Sequence, residues 1–193
     1  MKIGLKKGFT LIELLIVIAI IGILSVALLP TILGAPAKGR DAARKAHLNA
    51  IVTALEAANI DLGGYPMGTN GVAQKVGITD TAPGFNTRLS YFQGGHVPFD
   101  PLGTAGPSLT GVATGRGQYL YMNNSGANGK NYMLVAYMEV PADANALWND
   151  VSGLSAGNDP PASYTSSITT CAPFATTSPY APVNNSCVYV VSK

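Results

Sequence analysis

Lys6-Lys7-Gly8-Phe9-Thr10-Leu11-Ile12-Glu13-Leu14-Leu15 is the stretch from which the rest of the chain is read. Two lysines and a glycine lead into an apolar run that holds one carboxylate, Glu13. From Leu14 to Ala37 no residue is charged. A helix needs about 20 apolar residues to cross the roughly 30 Å hydrocarbon core of a bilayer, and this run exceeds that. A carboxylate inside such a run is costly and demands a partner or a purpose. The plainer alternative is a side chain that snorkels to the headgroups.

The basic residues set a direction. Lys2, Lys6 and Lys7 precede the apolar run and no acid does. Positive charge stays on the cytoplasmic side, so the N-terminus is expected inside and everything after about residue 34 outside.

Gly8-Phe9-Thr10-Leu11-Ile12-Glu13 resembles the processing and assembly signature of type IV pilins and of the pseudopilins of type II secretion. The resemblance is close from Lys6 to about Leu29 and looser up to Pro66. It implies that a prepilin peptidase cuts between Gly8 and Phe9 and that the new Phe9 nitrogen is methylated. It also implies that Glu13 meets the Phe9 amine of a neighbouring subunit during assembly. The implied partners are further copies of the chain, the peptidase, the membrane, an inner-membrane platform protein and an assembly ATPase. The precursor would be a single-pass protein of the inner membrane. The product would be an extracellular filament or a periplasmic pseudopilus.

The same resemblance implies an α+β fold, a long N-terminal helix packed on a small antiparallel sheet. The expected zones are a leader at 1–8, a helix at 9–62 and a globular head at 63–193. The helix would span the membrane up to about 33 and be amphipathic from about 40. Pro30, Gly34, Pro36 and Gly39 interrupt it. Proline inside a helix deletes a hydrogen bond and clashes with the preceding turn. A kink or loosening is therefore expected between about Ser25 and Gly39.

Beyond Arg40 the apolar residues Leu48, Ile51, Val52, Leu55, Ala58 and Leu62 recur at spacings of three and four. That is one face of a helix. Arg40, Asp41, Arg44, Lys45 and Glu56 fall mostly off it, and His47 is placed on its solvated side. Gly63-Gly64-Tyr65-Pro66 should stop the helix. Two segments rich in strand formers, Gln118–Met122 and Tyr132–Glu139, flank a dense turn signal and read as a hairpin. Cys187–Val191 reads as a third strand, and Asn86–Phe92 as a short helix. Tyr65-Pro66, Val97-Pro98-Phe99-Asp100-Pro101-Leu102-Gly103 and Tyr119-Leu120-Tyr121 look like pseudopilins and some bacterial pilins.

Charge and cysteine content narrow the function. Only 11% of the 193 residues are charged, and the net charge is +2. Cleavage would remove Lys2, Lys6 and Lys7 and leave nine basic side chains against ten acids. No basic face for nucleic acid follows. The two cysteines, Cys171 and Cys187, both fall in the expected exterior part and read as a disulfide. Two free thiols are the alternative. His47 and His96 lack partners at metal-ligand spacing. No P-loop, dinucleotide fingerprint or nucleophile elbow occurs, so no enzyme is indicated. Oxygen-bearing residues after the hairpin, Asp143, Asn145, Asn149, Asp150, Asn158 and Asp159, suit calcium by type, and the resemblance to major pseudopilins implies a calcium site in this region, but their spacing does not match an EF-hand. Ordinary loop solvation and Asx turns explain them better, and no cofactor is expected.

Three roles remain. The first is a pilin polymerised through its helix, and the second is a major pseudopilin. The third is a secreted binding domain behind an ordinary signal peptide, with Ala35-Pro36-Ala37 as its cleavage site.

Overall fold

The computed structural model describes residues 8–67, 75–82, 84–105, 109, 117–123, 131–147 and 186–192, with side chains at 27, 29–33, 75, 76 and 105 left aside. The leader, apart from Gly8, lies outside this set. The chain divides into two compact units, Met1–Pro36 and Ala37–Lys193.

Helix α1 runs from Leu11 to Leu62. It runs on through Pro30, Gly34 and Pro36, where the sequence reading placed a kink or loosening. A proline removes only one backbone donor, and the turns on either side carry the helix through. The first unit holds the apolar part of α1. Every described side chain from Gly8 to Leu28 is exposed. Among the described residues no helix is long and apolar enough to cross a membrane. Positions 29–33 fall inside the uncharged run but outside the described side chains.

The second unit packs the rest of α1 on a five-stranded antiparallel sheet of order β1-β2-β3-β5-β4. The strands are β1 Lys75–Gly77, β2 Leu120–Asn123, β3 Tyr132–Tyr137, β4 Ala146–Leu147 and β5 Cys187–Ser192. Register alternates the strand residues between two faces. Tyr121 and Leu134 pair across β2 and β3 and face Leu48, Ile51 and Leu55 of α1 in one core. Leu120 and Val135, the adjacent pair, join Met122, Met133, Val188 and Val190 in a second cluster on the other face. The expected hairpin and third strand are present, and two short edge strands flank them.

Leu48, Ile51, Leu55 and Ala58 are fully buried, as their spacing requires. Leu62, assigned to the same stripe, is exposed, because α1 ends there. Gly63 follows at φ +75°, a backbone state that glycine adopts without penalty, and its N–H closes the helix on Asn59 O at 2.9 Å. The expected helix near Asn86 is instead a run of turns with 3-10 pieces at Leu89–Tyr91 and Gln93–Gly95. Arg88, at φ −117° and ψ 8°, and Phe92, extended at ψ 141°, leave helical geometry within that span.

Candidate functional site

Two places in α1 combine charge with unusual surroundings. The first is its N-terminus. Leu14 N–H donates to Thr10 O at 3.3 Å, so Thr10 is the residue that caps the helix. Glu13 N–H donates to Thr10 Oγ1 at 3.3 Å, and Thr10 N–H and Oγ1–H both donate to Glu13 Oε2, at 2.8 and 2.7 Å. This is a reciprocal capping box, Thr-x-x-Glu, which satisfies donors that the first helical turn leaves free. Glu13 also lies at the positive end of the helix dipole. The carboxylate in the apolar run is thus held by its own chain, at the residue just after Phe9. Phe9 is 83% exposed and, with Gly8, precedes the first helical turn. The structure joins Glu13 to Thr10, and the sequence reading of Phe9 and Glu13 did not use Thr10. The T-x-x-E spacing carried that signal.

Around the same terminus stand Leu11, Ile12, Leu14, Leu15, Ile16 and Val17, all between 48% and 83% exposed. They continue to Leu28 among the described residues. An apolar helix face of this extent marks a site for lipid or protein, because water solvates it poorly.

The second place lies about eight turns further on. Asp41 and Arg44, read among the charges that fall mostly off the apolar stripe, have no exposed surface at all. Run backwards, the buried spacing of 58, 55, 51 and 48 lands on 44 and then 41, so the stripe continues with charges in place of aliphatics. Arg44 Nε and Nη2 grip both oxygens of Asp100 at 2.6 and 3.1 Å. Its Nη1 donates to Asp41 at 2.6 Å and to Glu139 at 2.7 Å. Asp41 in turn accepts the backbone N–H groups of Glu139 and Val140. Arg40 forms a second fork on Glu139, with Nε at 2.8 Å. Asp100 is fixed by the turn it heads, accepting from Leu102 N–H at 2.8 Å.

These partners explain the local proton affinities. Burial pulls the Arg44 guanidinium down, but Asp100, Glu139 and Asp41 more than offset it and raise it above the usual arginine value. Burial pushes the Glu139 carboxyl up, but the hydrogen bonds from Arg40 and Arg44 hold it below the ordinary glutamate range. The Tyr137 hydroxyl, near the Arg44 guanidinium, is pushed up to about 12 by burial and then by the Glu139 charge. A cluster so fully paired has no free acid or base for chemistry at neutral pH. It ties α1 to the Asp100 turn and to the end of β3.

The remaining candidates divide. His47, expected in solvent, has Nδ1 at 2.7 Å from the hydroxyl of Tyr119, the residue before β2. Asp143 accepts from Lys45 Nζ at 2.8 Å. Asn145 bonds the Val190 backbone at both ends, Nδ2 to O at 2.8 Å and Oδ1 to N at 2.7 Å. These two calcium candidates are therefore engaged by protein groups. Asp150 and Asp159 lie outside the described residues, as do Asn149 and Asn158. Among the described residues no group of three His, Cys, Asp or Glu is arranged to hold a metal. Cys187 is buried at the head of β5 and disulfide-bonded. Its expected partner, Cys171, lies outside the described residues.

Comparison with known proteins bears on the N-terminal site first. Residues 4–29 match the model of the prokaryotic N-terminal methylation motif. The type IV wide pilus major component PilA4 of Thermus thermophilus is 51% identical over 59 residues, covering 31% of this chain and 45% of that protein. The type II secretion system core protein G of Aeromonas hydrophila is 32% identical over 101 residues, covering 51% of this chain and 68% of that protein. Its namesake from Pseudomonas aeruginosa is 33% identical over 67 residues, covering 35% of this chain and 47% of that protein. The chain thus spans less than half the length of the pilus relative and about two thirds of the Aeromonas one. No solved structure matches.

Proposed function

This chain belongs to the family of type IV pilins and type II secretion core protein G, and on that premise we propose that it is a structural subunit, not an enzyme, that polymerises through its N-terminal helix into a type IV pilus filament. The observation that carries the reading is the exposed apolar half of α1 ending in the Thr10–Glu13 box.

The steps follow from that geometry. Before cleavage the uncharged run Leu14–Ala37 anchors the precursor in the inner membrane, with the lysines inside. A prepilin peptidase cuts after Gly8, and the Phe9 nitrogen becomes a cationic amine, then a methylated one. Thr10, the residue after Phe9, holds the Glu13 carboxylate in the apolar face that a second subunit covers. An unpaired charge in lipid is costly, so the amine of one subunit and Glu13 of its neighbour reward association. The pair also fixes axial register, because the aliphatic side chains around it fit many registers about equally. The platform protein and assembly ATPase are proposed on the family alone. No metal is required by this scheme.

A second reading is a core subunit of a type II secretion system. The match covering 68% of the Aeromonas protein favours it. The third reading, a secreted domain, is not favoured, because Ala35-Pro36-Ala37 lies in the interior of α1. One experiment separates processed subunit from secreted domain. The intact mass of protein from cells with an active prepilin peptidase should lack the first eight residues and carry one methyl group. A chain beginning at Met1 or Lys38 would overturn the proposal. Deletion of the gene then decides between filament and secretion, by loss of surface pili or loss of exported protein.

A further inference from the structure

Strand β5 is six residues long and its outer neighbour β4 only two. On its inner side β5 pairs with β3 from Val188 to Ser192, whereas β4 reaches only Cys187 and Val188. The backbone groups of an antiparallel strand turn to its two sides in alternation. Cys187 O accepts from Met138 N–H on the β3 side, so Val188, Val190 and Ser192 turn theirs outward. The segment Val188-Tyr189-Val190-Val191 is β-branched and aromatic, with no charge, proline or glycine. Such a segment pairs readily with other chains when its backbone is free.

Asn145 meets two of the three outward positions. Its N–H donates to Val188 O at 3.1 Å. Its side chain takes the next position whole: Nδ2 donates to Val190 O at 2.8 Å, and Oδ1 accepts Val190 N–H at 2.7 Å. A primary amide carries a donor and an acceptor, as a peptide group does. The side chain therefore stands in for the residue that a longer β4 would supply. The main chain has turned away by then, into the 3-10 piece Pro141–Asp143, where Asp143 accepts from Lys45 Nζ at 2.8 Å.

We propose that Asn145 is a strand stop, closing the outward side of β5 against the β5 of a second copy of this chain. The same uncharged segment from another copy, laid antiparallel, offers Val190 the two hydrogen bonds that the amide now makes, and adds apolar side chains on both faces. The amide competes from within the chain, so it wins as long as it is present. One residue thus blocks, by its side chain, a pairing that the composition of β5 invites.

Amide exchange and sedimentation velocity on the full chain in detergent micelles test this, whether or not the protein forms filaments. In dilute wild type the Val190 amide should exchange within roughly tenfold of that of Leu134, on the twice-paired strand β3. In dilute Asn145→Ala it should exchange at least roughly tenfold faster than in wild type, with the β3 amides unchanged. On concentration, Asn145→Ala should form particles of two or more chains where wild type stays single. Asn145→Lys should show the same fast Val190 amide yet stay single, because a lysine beside an open strand blocks strand addition. If Asn145→Ala fails to hold the sheet, Asn145→Val, a strong strand former without an amide, takes its place with the same outcomes expected. A Val190 amide that exchanges freely in wild type overturns the proposal. So does an Ala or Val variant that stays single when concentrated, or a Lys variant that associates as they do, since charge would then not matter.

Discussion

Thr10 spends both its backbone donor and its hydroxyl on Glu13, so the carboxylate is ordered before any second subunit arrives. Removing it gives the sharpest single-residue test. Replacing a carboxylate by leucine improves partition into lipid, so a plain anchor would tolerate Glu13→Leu. An assembly subunit would not: sheared-filament yield should fall at least tenfold with membrane content unchanged. Arg44 is the second decisive residue. Arg44→Met leaves Asp41 and Asp100 buried without their counter-ion and should cost about 3–5 kcal/mol, read as a lower urea midpoint for the full chain in micelles. Glu139 makes the same cluster sensitive to acid. Its folded-state proton affinity is depressed by Arg40 and Arg44, so its contribution is complete above the unfolded value of about 4.3 and is lost as pH falls through the lower folded one. Thermal midpoints of wild type should drop below about pH 4, and Glu139→Gln should flatten that part of the profile. Glu13 was legible in the sequence because an acid in an apolar run is conspicuous. Asp41 and Arg44 were not, because a charge is assigned to solvent unless its partners are known, and Asp100 and Glu139 lie far along the chain.

At the scale of elements, what could be read was what repeats. Leu48, Ile51, Leu55 and Ala58 recur often enough to show a buried face, and Gly63 with Pro66 marked its end. Leu55→Ala should therefore cost about 2–5 kcal/mol, since Leu55 is fully buried between α1 and the sheet. Chemical denaturation of the full chain measures it. The hairpin was legible from composition, and the unbroken apolar run Tyr132–Met138 has its reason in the structure: both faces of the sheet are covered. β1 and β4, three and two residues long, are too short for any periodicity to form. The long helix was legible to its end, and α1 runs through Pro30 because a proline costs one bond and the flanking turns keep theirs.

For the whole molecule, family likeness and fold agree on a helix that is apolar in one half and head-bound in the other. The head holds itself by the α1–sheet core, by the charge cluster and by a cystine at Cys187. Non-reducing peptide maps should show Cys187 joined to Cys171, a loop closure worth about 3 kcal/mol, and reduction should lower the thermal midpoint. The sheet's outer strands carry a last consequence. Among the described residues both outer strands are short, β1 of three residues and β4 of two. Subunits lined up in a polymer meet at local concentrations of about a millimolar or more. Long free edges at such crowding would knit one head to the next by backbone pairing and build aggregate that no machinery could take apart. Stubby edges would leave neighbours in such a polymer adjacent yet unfused, because their heads offer little backbone to pair.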